Sequence, residues 1–273
     1  MSVPVPTDTS ADDQVLRLLA DSDLEIEGRL VDASNVALRV WVGEGEKRTA
    51  AVYKPIRGER PLWDFPDGSL AGRELAASYV SDATGWNFVP RTVLRDGPLG
   101  PGTVQQWVGP LEGREDPDFV RIDAPADVPD GNVPVLAVRD EADRPLVVSH
   151  SDTPRLRTLA VFDALLNNAD RKASALLADD ATFWAIDHGL CFHEEEKLRT
   201  VFWGFAGEPI AATDIAALQR FSEALDGGLV AQLEPLLTLS EIEALHERLH
   251  GLLADGVMPE VPEDRHPLPW PLW

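Results

Sequence analysis

The apolar positions of this chain change their period along its length, and the changes mark out its parts. Val15, Leu16, Leu18 and Leu19 recur at helical spacing within residues 12–20, after a polar lead. Residues 24–30 and 36–42 are short apolar and β-branched runs separated by a turn-forming cluster, which predicts a hairpin, and TAAVYKP at 49–55 adds a third strand ending at a proline. A loop rich in glycine, proline and aromatics comes next. Leu75, Ala76, Tyr79 and Val80 then return to a helical period, with Ser69 placed to cap the helix and Gly85 to stop it. Residues 89–94 and 102–108 predict two more strands, and Gly109-Pro110 turns the chain away.

Residues 110–154 are acidic and proline-rich, with few periodic apolar positions apart from the short strand-like VPVLAV, so an irregular insertion is expected. Beyond it, Leu156, Leu159, Ala160 and Leu166 line one side of a helix over 154–167, while Val161, Phe162 and Leu165 cover much of the other. Such a helix is largely buried, and Asp163 within its stripe either meets a partner or marks a polar break. Asn167 and Asn168 terminate it, and 176–177 pairs with 183–186 around ADDAT. Helices over 213–225, 228–237 and 240–254 complete the pattern, the last with Ser240 and Glu243 at capping-box spacing. This order predicts an α+β chain in two lobes with a cleft between them. Residues 1–23 form a lead and short helix, 24–109 a small antiparallel sheet plus helix, 110–154 an insertion, and 155–273 a larger, mainly helical lobe.

Composition narrows the partners. The chain carries 47 acidic and 24 basic residues, a formal charge of −23 whose field repels nucleic acid and anionic membrane surfaces. Cys191 is the only cysteine, so no internal disulfide forms and a reducing compartment fits; within an apolar run it reads as a packing thiol. MSVPVPTDTSADD lacks the basic and apolar regions of a secretory leader. No stretch approaches the roughly 20 apolar residues of a membrane span. A soluble, cytoplasmic protein is expected.

The candidate chemistry is concentrated between residues 157 and 193. Asp170 and Asp187 each stand at the edge of an apolar element. Phosphoryl transfer uses two such carboxylates, one to orient a hydroxyl and one to hold a metal on the phosphates. Lys54 closes an apolar strand, either reaching toward nucleotide phosphates or facing outward as an edge charge. Glu74, in the first turns of its helix, either pairs with Lys54 or is a solvated charge favoured by the helix dipole. His188 reads as a packing residue, and His193 with Glu194, Glu195 and Glu196 as a solvated loop. The sequence contains no G-x-S-x-G, P-loop or G-x-G-x-x-G motif, which disfavours a serine hydrolase and the common nucleotide-binding folds.

In its order of parts the chain resembles the atypical kinases related to the phosphatidylinositol 3- and 4-kinases, especially a branch of uncharacterised actinobacterial kinase-like proteins, with HipA-type serine kinases more distant. The resemblance spans roughly residues 24 to 254. It is strongest in DRKASALL and AIDHGLCF, which stand where the family has D-R-H-x-x-N and I-D-F-G or I-D-H-G. It implies a two-lobed protein-kinase-like fold that uses ATP and Mg2+. Asp170 then matches the aspartate that orients or deprotonates the acceptor hydroxyl, Asp187 the metal-binding aspartate, Lys54 the nucleotide-phosphate lysine, and Glu74 the helix glutamate that steadies it. Ala33, Ser34 and Asn35 take the place of the phosphate-covering loop, and Gln105, Gln106, Trp107 and Val108 that of the hinge beside adenine.

Two positions depart from the family pattern. Ala175 stands where the family has an asparagine as second metal ligand, and Lys172 where histidine often follows D-R. Asn168 or Ser174 is then the substitute ligand to look for. The resemblance leaves two readings: an ATP-dependent kinase acting on an unidentified small-molecule or protein hydroxyl, and a pseudokinase or nucleotide-binding scaffold without turnover. Adenylylation on the same fold stays open, as does oligomeric state. A lipid headgroup follows only from the family name, and a charge of −23 with no basic segment suits phosphoinositide surfaces poorly.

Overall fold

In the computed structural model, which describes residues 9–30, 35–45, 48–66, 69–112, 118–179 and 182–273, the chain enters through helix α1 (Thr9–Asp21) and strand β1 (Leu24–Arg29). Alternation shapes the next two strands, strictly in the first and from the third residue onward in the second. In β2 (Leu38–Val42) the side chains of Leu38, Val40 and Val42 are buried, and pairing with β3 (Thr49–Pro55) sets Leu38 opposite Tyr53 and Val40 opposite Ala51. With Leu19 of α1 and Val104 these residues make one compact core. Because side chains alternate across a strand, Lys54 projects from the other face of β3 to Tyr53. That face carries α2 (Leu70–Thr84).

The N-terminus of α2 is not capped by Ser69, whose hydroxyl donates to the Pro66 carbonyl at 2.7 Å. Glu59 takes that role: its carboxylate accepts from the Leu70 and Ala71 N–H groups at 3.3 and 2.9 Å. The preceding loop folds back on the helix, and a charged carboxylate suits the positive end of its dipole better than a hydroxyl. Gly85 ends α2 at φ 75°, as expected. Strand β4 (Thr92–Gly97) begins later than the apolar run suggests, because the Phe88 and Val89 N–H groups bond to the Ser81 hydroxyl. β5 (Gly100–Gln106) completes an antiparallel sheet of order β1-β2-β3-β5-β4.

The stretch expected to be irregular contains a second antiparallel sheet. β6 (Val120–Asp123), β7 (Asn132–Arg139) and β8 (Pro145–Ser151) pair in the order β6-β8-β7. Its strand signal is weak for two reasons. β7 coincides with the strand-like VPVLAV but is mostly solvent-facing, and its internal proline, Pro134, sits where the register shifts, so no long ladder is broken. Val120 and Val148 join the main core.

The larger lobe is built around α3 (Pro154–Leu166), capped by Thr153 and closed by Asn167 in the left-handed region at φ 54°. Leu156, Leu159, Val161, Phe162, Leu165 and Leu166 are all buried, as two apolar stripes require. β9 (Leu176–Asp179) and β10 (Thr182–Ala185) form the expected hairpin. Helices α4 (Ala212–Ala224), α5 (Val230–Leu233) and α6 (Leu239–Asp255) complete the lobe. The helix expected over 228–237 shrinks to one turn because Gly228 adopts φ 121°. The capping box of α6 lies at Thr238 and Glu241, two residues before Ser240 and Glu243. No described helix is long and apolar enough to cross a membrane.

Candidate active site

The two lobes meet at Lys54. Its ammonium bonds Glu74 of α2 at 2.8 Å and Asp187, just past β10, at 2.6 Å. Burial alone lowers a lysine pKa, but the two carboxylates outweigh it and hold the ammonium above its ordinary value. Asp187 is drawn below the usual carboxylate value, first by the Lys54 charge and against the effect of burial. Its backbone has φ 61°, a left-handed conformation that aspartate tolerates better than most residues and that often marks functional turns. The side chain is 60% exposed, so Asp187 faces Lys54 and solvent together.

Asp170 lies in the loop after α3. Burial raises its carboxyl pKa, the Lys172 ammonium at 3.2 Å pulls it back, and the negative charge of Asp187 raises it again. The two aspartates are thus close enough to sense one another. Arg171, between Asp170 and Lys172, is fully buried and pairs with Asp163 at 2.9 Å. It also donates to the carbonyls of Ala175 and Ile186, at 3.3 and 3.1 Å, and to Nε2 of His188 at 2.8 Å. Burial, with Arg171 adding to it, holds His188 neutral by keeping its pKa well below the ordinary value. One guanidinium therefore binds the Asp170 loop to the segment that carries Asp187.

The other expected site residues fall around this centre. Asn168 is fully buried, donating to Asp163 at 2.9 Å and accepting from the Asp170 N–H at 3.0 Å; its amide is engaged in shaping the loop. The Ala175 methyl is buried in a 3-10 turn and offers no ligand atom. Asn35 accepts from the Arg60 N–H at 2.9 Å, tying the first hairpin to the segment after β3, while Ser34 and Ala33 lie outside the described residues. Along the hinge, Gln105 is buried and donates to the Thr92 hydroxyl at 2.9 Å. The Gln106 and Trp107 N–H groups bond the Arg91 and Ala50 carbonyls, and Val108 is half-buried with no backbone partner for its N–H among the described residues. Cys191 is buried, and burial pushes its thiol well above the ordinary value, which fits packing and not nucleophilic chemistry.

Among the described residues no three or more His, Cys, Asp or Glu side chains gather around a metal position. Two carboxylates nevertheless converge on Lys54, and Oε2 of Glu74 is buried without a hydrogen-bond partner. Leaving such an oxygen bare is costly. Hard divalent cations take carboxylate and phosphate oxygens together, so Glu74 and Asp187 fit a cation that nucleotide phosphates help to ligate.

Two supports of this centre differ in how much the sequence reveals of them. Arg171 has a signal in principle, as the arginine of D-R lying eight positions after an aspartate in an apolar stripe. Asp64 has none. It pairs with Lys197 at 2.8 Å, and its carbonyl accepts from His193 Nε2 at 2.9 Å, so His193 is anchored and not solvated, although Glu194, Glu195 and Glu196 are exposed.

Comparison with solved structures gives the class. The crystal structure of the Golgi casein kinase superposes with a TM-score of 0.54 at 13% identity, covering 91% of this chain and 76% of that one. The same kinase with Mn/ADP bound gives a TM-score of 0.55 at 13% identity over the same shares. The fold is therefore kinase-like, a two-lobed α+β arrangement. No protein-family model matches the chain. Its sequence is 46% identical over 265 residues to Protein Rv2133c of Mycobacterium tuberculosis (strain ATCC 25618 / H37Rv), covering 93% of this chain and 94% of that protein, and the chain belongs to the Rv2133c family.

Proposed function

We propose that the protein is an ATP-dependent phosphotransferase, allied to the phosphatidylinositol 3/4-kinase-like superfamily, that transfers the γ-phosphate to a hydroxyl of a small molecule or protein. The observation that carries this reading is Lys54 held between Glu74 and Asp187 at 2.8 and 2.6 Å, with Asp170 inside the field of Asp187. Lys54 would bind the phosphates of the nucleotide. Asp170, its basicity raised by burial, would accept the proton of the attacking hydroxyl. Lys172 beside it offers a positive charge where the transferred phosphoryl group passes. Glu74 and Asp187 would hold Mg2+ or a similar cation, which when bound neutralises charge on the phosphates. In this reading residues 24–109 are the nucleotide lobe and 155–273 carry the catalytic and metal loops. The lone, buried thiol of Cys191 supports a cytoplasmic setting.

A second reading, a pseudokinase that binds nucleotide without turnover, is favoured by Ala175, whose position lacks the usual metal-binding side chain. One experiment separates the two. Purified protein is titrated with ATP in the presence and absence of Mg2+ or Mn2+, and ATP consumption is followed. Metal-dependent binding with turnover that is lost in Lys54→Met supports the enzyme, binding without turnover supports the pseudokinase, and no binding overturns both.

A further inference from the structure

Arg73 precedes Glu74 on α2, yet its guanidinium belongs to the interior of the larger lobe, where it is 1% exposed. Nη1 donates to the Cys191 carbonyl at 2.6 Å, Nη2 pairs with Glu241, and the group lies 4.9 Å from the centre of the Phe65 ring. Glu241 is itself held, because its other carboxylate oxygen accepts from the Thr238 N–H at 2.8 Å at the start of α6. One residue before Arg73, a Cβ on Gly72 would stand 2.9 Å from the Leu236 carbonyl, so the helix backbone lies directly against that lobe.

We propose that Arg73 is a positioning residue: by tying α2 both to α6 and to the carbonyl four residues beyond Asp187, it fixes Glu74 and Asp187 on either side of Lys54. The site is then assembled in the isolated chain, without a partner protein or a modification to bring the helix in. The proposal rests on reading Lys54, Glu74 and Asp187 as the phosphotransfer centre. The connections form a closed circuit, from Lys54 to Glu74, along the backbone to Arg73, across to Cys191, and back through the chain to Asp187. Swinging α2 away would break this circuit at a buried ion pair and leave both of its charges unpaired. Arginine is suited to the task because its planar fork reaches a carbonyl and a carboxylate at once while stacking on a ring; a lysine ammonium is a compact point charge without the rigid fork or the flat stacking face.

The test uses Arg73→Lys and Glu241→Gln in the full chain. Both keep a polar group in place, and glutamine can still accept from the Thr238 N–H. Amide hydrogen exchange and ATP consumption are measured for each. The expected result is exchange rising roughly tenfold or more in 70–76 and 187–193, with the sheet strands and α4 unchanged. The kcat should fall by about tenfold and the KM for the metal–ATP complex should rise by about tenfold as well, since Glu74 and Asp187 also hold the cation on the nucleotide. Wild-type exchange and kcat in both folded variants would overturn the proposal. A uniform rise in exchange with a lowered Tm and unchanged kcat would also overturn it, by assigning Arg73 to fold stability alone. If the wild-type chain consumes no ATP, the phosphotransfer reading fails separately, and localised or uniform exchange still decides whether Arg73 holds α2 and the Asp187 segment together.

Discussion

Arg171 and Asp163 form an ion pair in which neither side chain reaches solvent, with Nε 2.9 Å from Oδ2. Asp163 also receives the Asn168 amide, and Arg171 reaches the Ala175 and Ile186 carbonyls and His188. The loop bearing Asp170 and the turn bearing Asp187 are thus set relative to one another by one buried guanidinium together with backbone bonds such as Ala169 N–H to the Leu190 carbonyl and Ile186 N–H to the Ala175 carbonyl. Removing one partner strands a buried charge, which costs about 3–5 kcal/mol. Arg171→Met is therefore expected to lower unfolding free energy by that amount in urea denaturation. The double variant Asp163→Leu/Arg171→Met, which removes both charges, should be more stable than Arg171→Met alone while remaining inactive.

Replacing Lys54 separates binding from folding. In Lys54→Met the Glu74 carboxylate keeps its burial but loses its ammonium partner. Fold and far-UV circular dichroism should be retained. ATP consumption should fall at least about a hundredfold, and nucleotide affinity by roughly tenfold, since a direct phosphate contact is lost. Calorimetry with the metal–nucleotide complex checks the affinity.

Glu74→Gln tests the bare carboxylate oxygen. An amide keeps the size of the side chain but is a much weaker ligand for a hard cation. The concentration of Mg2+ or Mn2+ giving half-maximal nucleotide binding should rise about tenfold, a change of the size seen when metal-supporting groups are altered. Nucleotide binding in the absence of metal should change much less. Equal metal dependence in the two proteins would remove Glu74 from the cation site.

Asp170→Asn addresses the chemical step. If Asp170 accepts the hydroxyl proton, the substitution should lower kcat by about 10²- to 10⁴-fold with nucleotide affinity nearly unchanged. Lys172→Met should raise the Asp170 pKa further, because the nearby ammonium now opposes the effect of burial. The acidic limb of the rate–pH profile should then move to higher pH.

Stability should also depend on pH through two histidines. Burial depresses both His150, packed on Phe202 and Phe205, and His188, next to Arg171. Above the unfolded value of about 6.5 both states are neutral and these groups leave stability unchanged. As pH falls below it, the unfolded chain takes up protons that the folded chain refuses. Stability should drop by up to about 1.4 kcal/mol per pH unit for each histidine until the folded pKa is reached. Urea midpoints measured between pH 7.5 and 5 check this, and His150→Phe should flatten the slope.

The sequence carries the site more legibly than its supports. Lys54, Glu74 and Asp187 stand out in the sequence because each interrupts an apolar element with a charge. Alternation in 38–42 and two apolar stripes in 154–166 are enough to predict β2 and α3. Local spacing places Gly85 and Asn167 at the right helix ends but misplaces two N-terminal caps: Glu59 replaces Ser69 on α2, and Thr238 with Glu241 replaces Ser240 with Glu243 on α6. Of the β6-β8-β7 sheet only β7 is signalled, through the strand-like VPVLAV, and the pairing that makes a sheet of it escapes.

What the sequence determined alone is therefore most of the elements outside residues 110–154, their order and the charged residues at their edges, all governed by periodicity over a few neighbouring positions. Tertiary structure decided which charges meet. Asp163 finds Arg171 eight residues away, but Lys54 finds Asp187 across 133 positions and Arg73 finds Glu241 across 168. No local pattern encodes such pairings, because they depend on how two lobes pack and on which alternative would leave a buried charge without a partner.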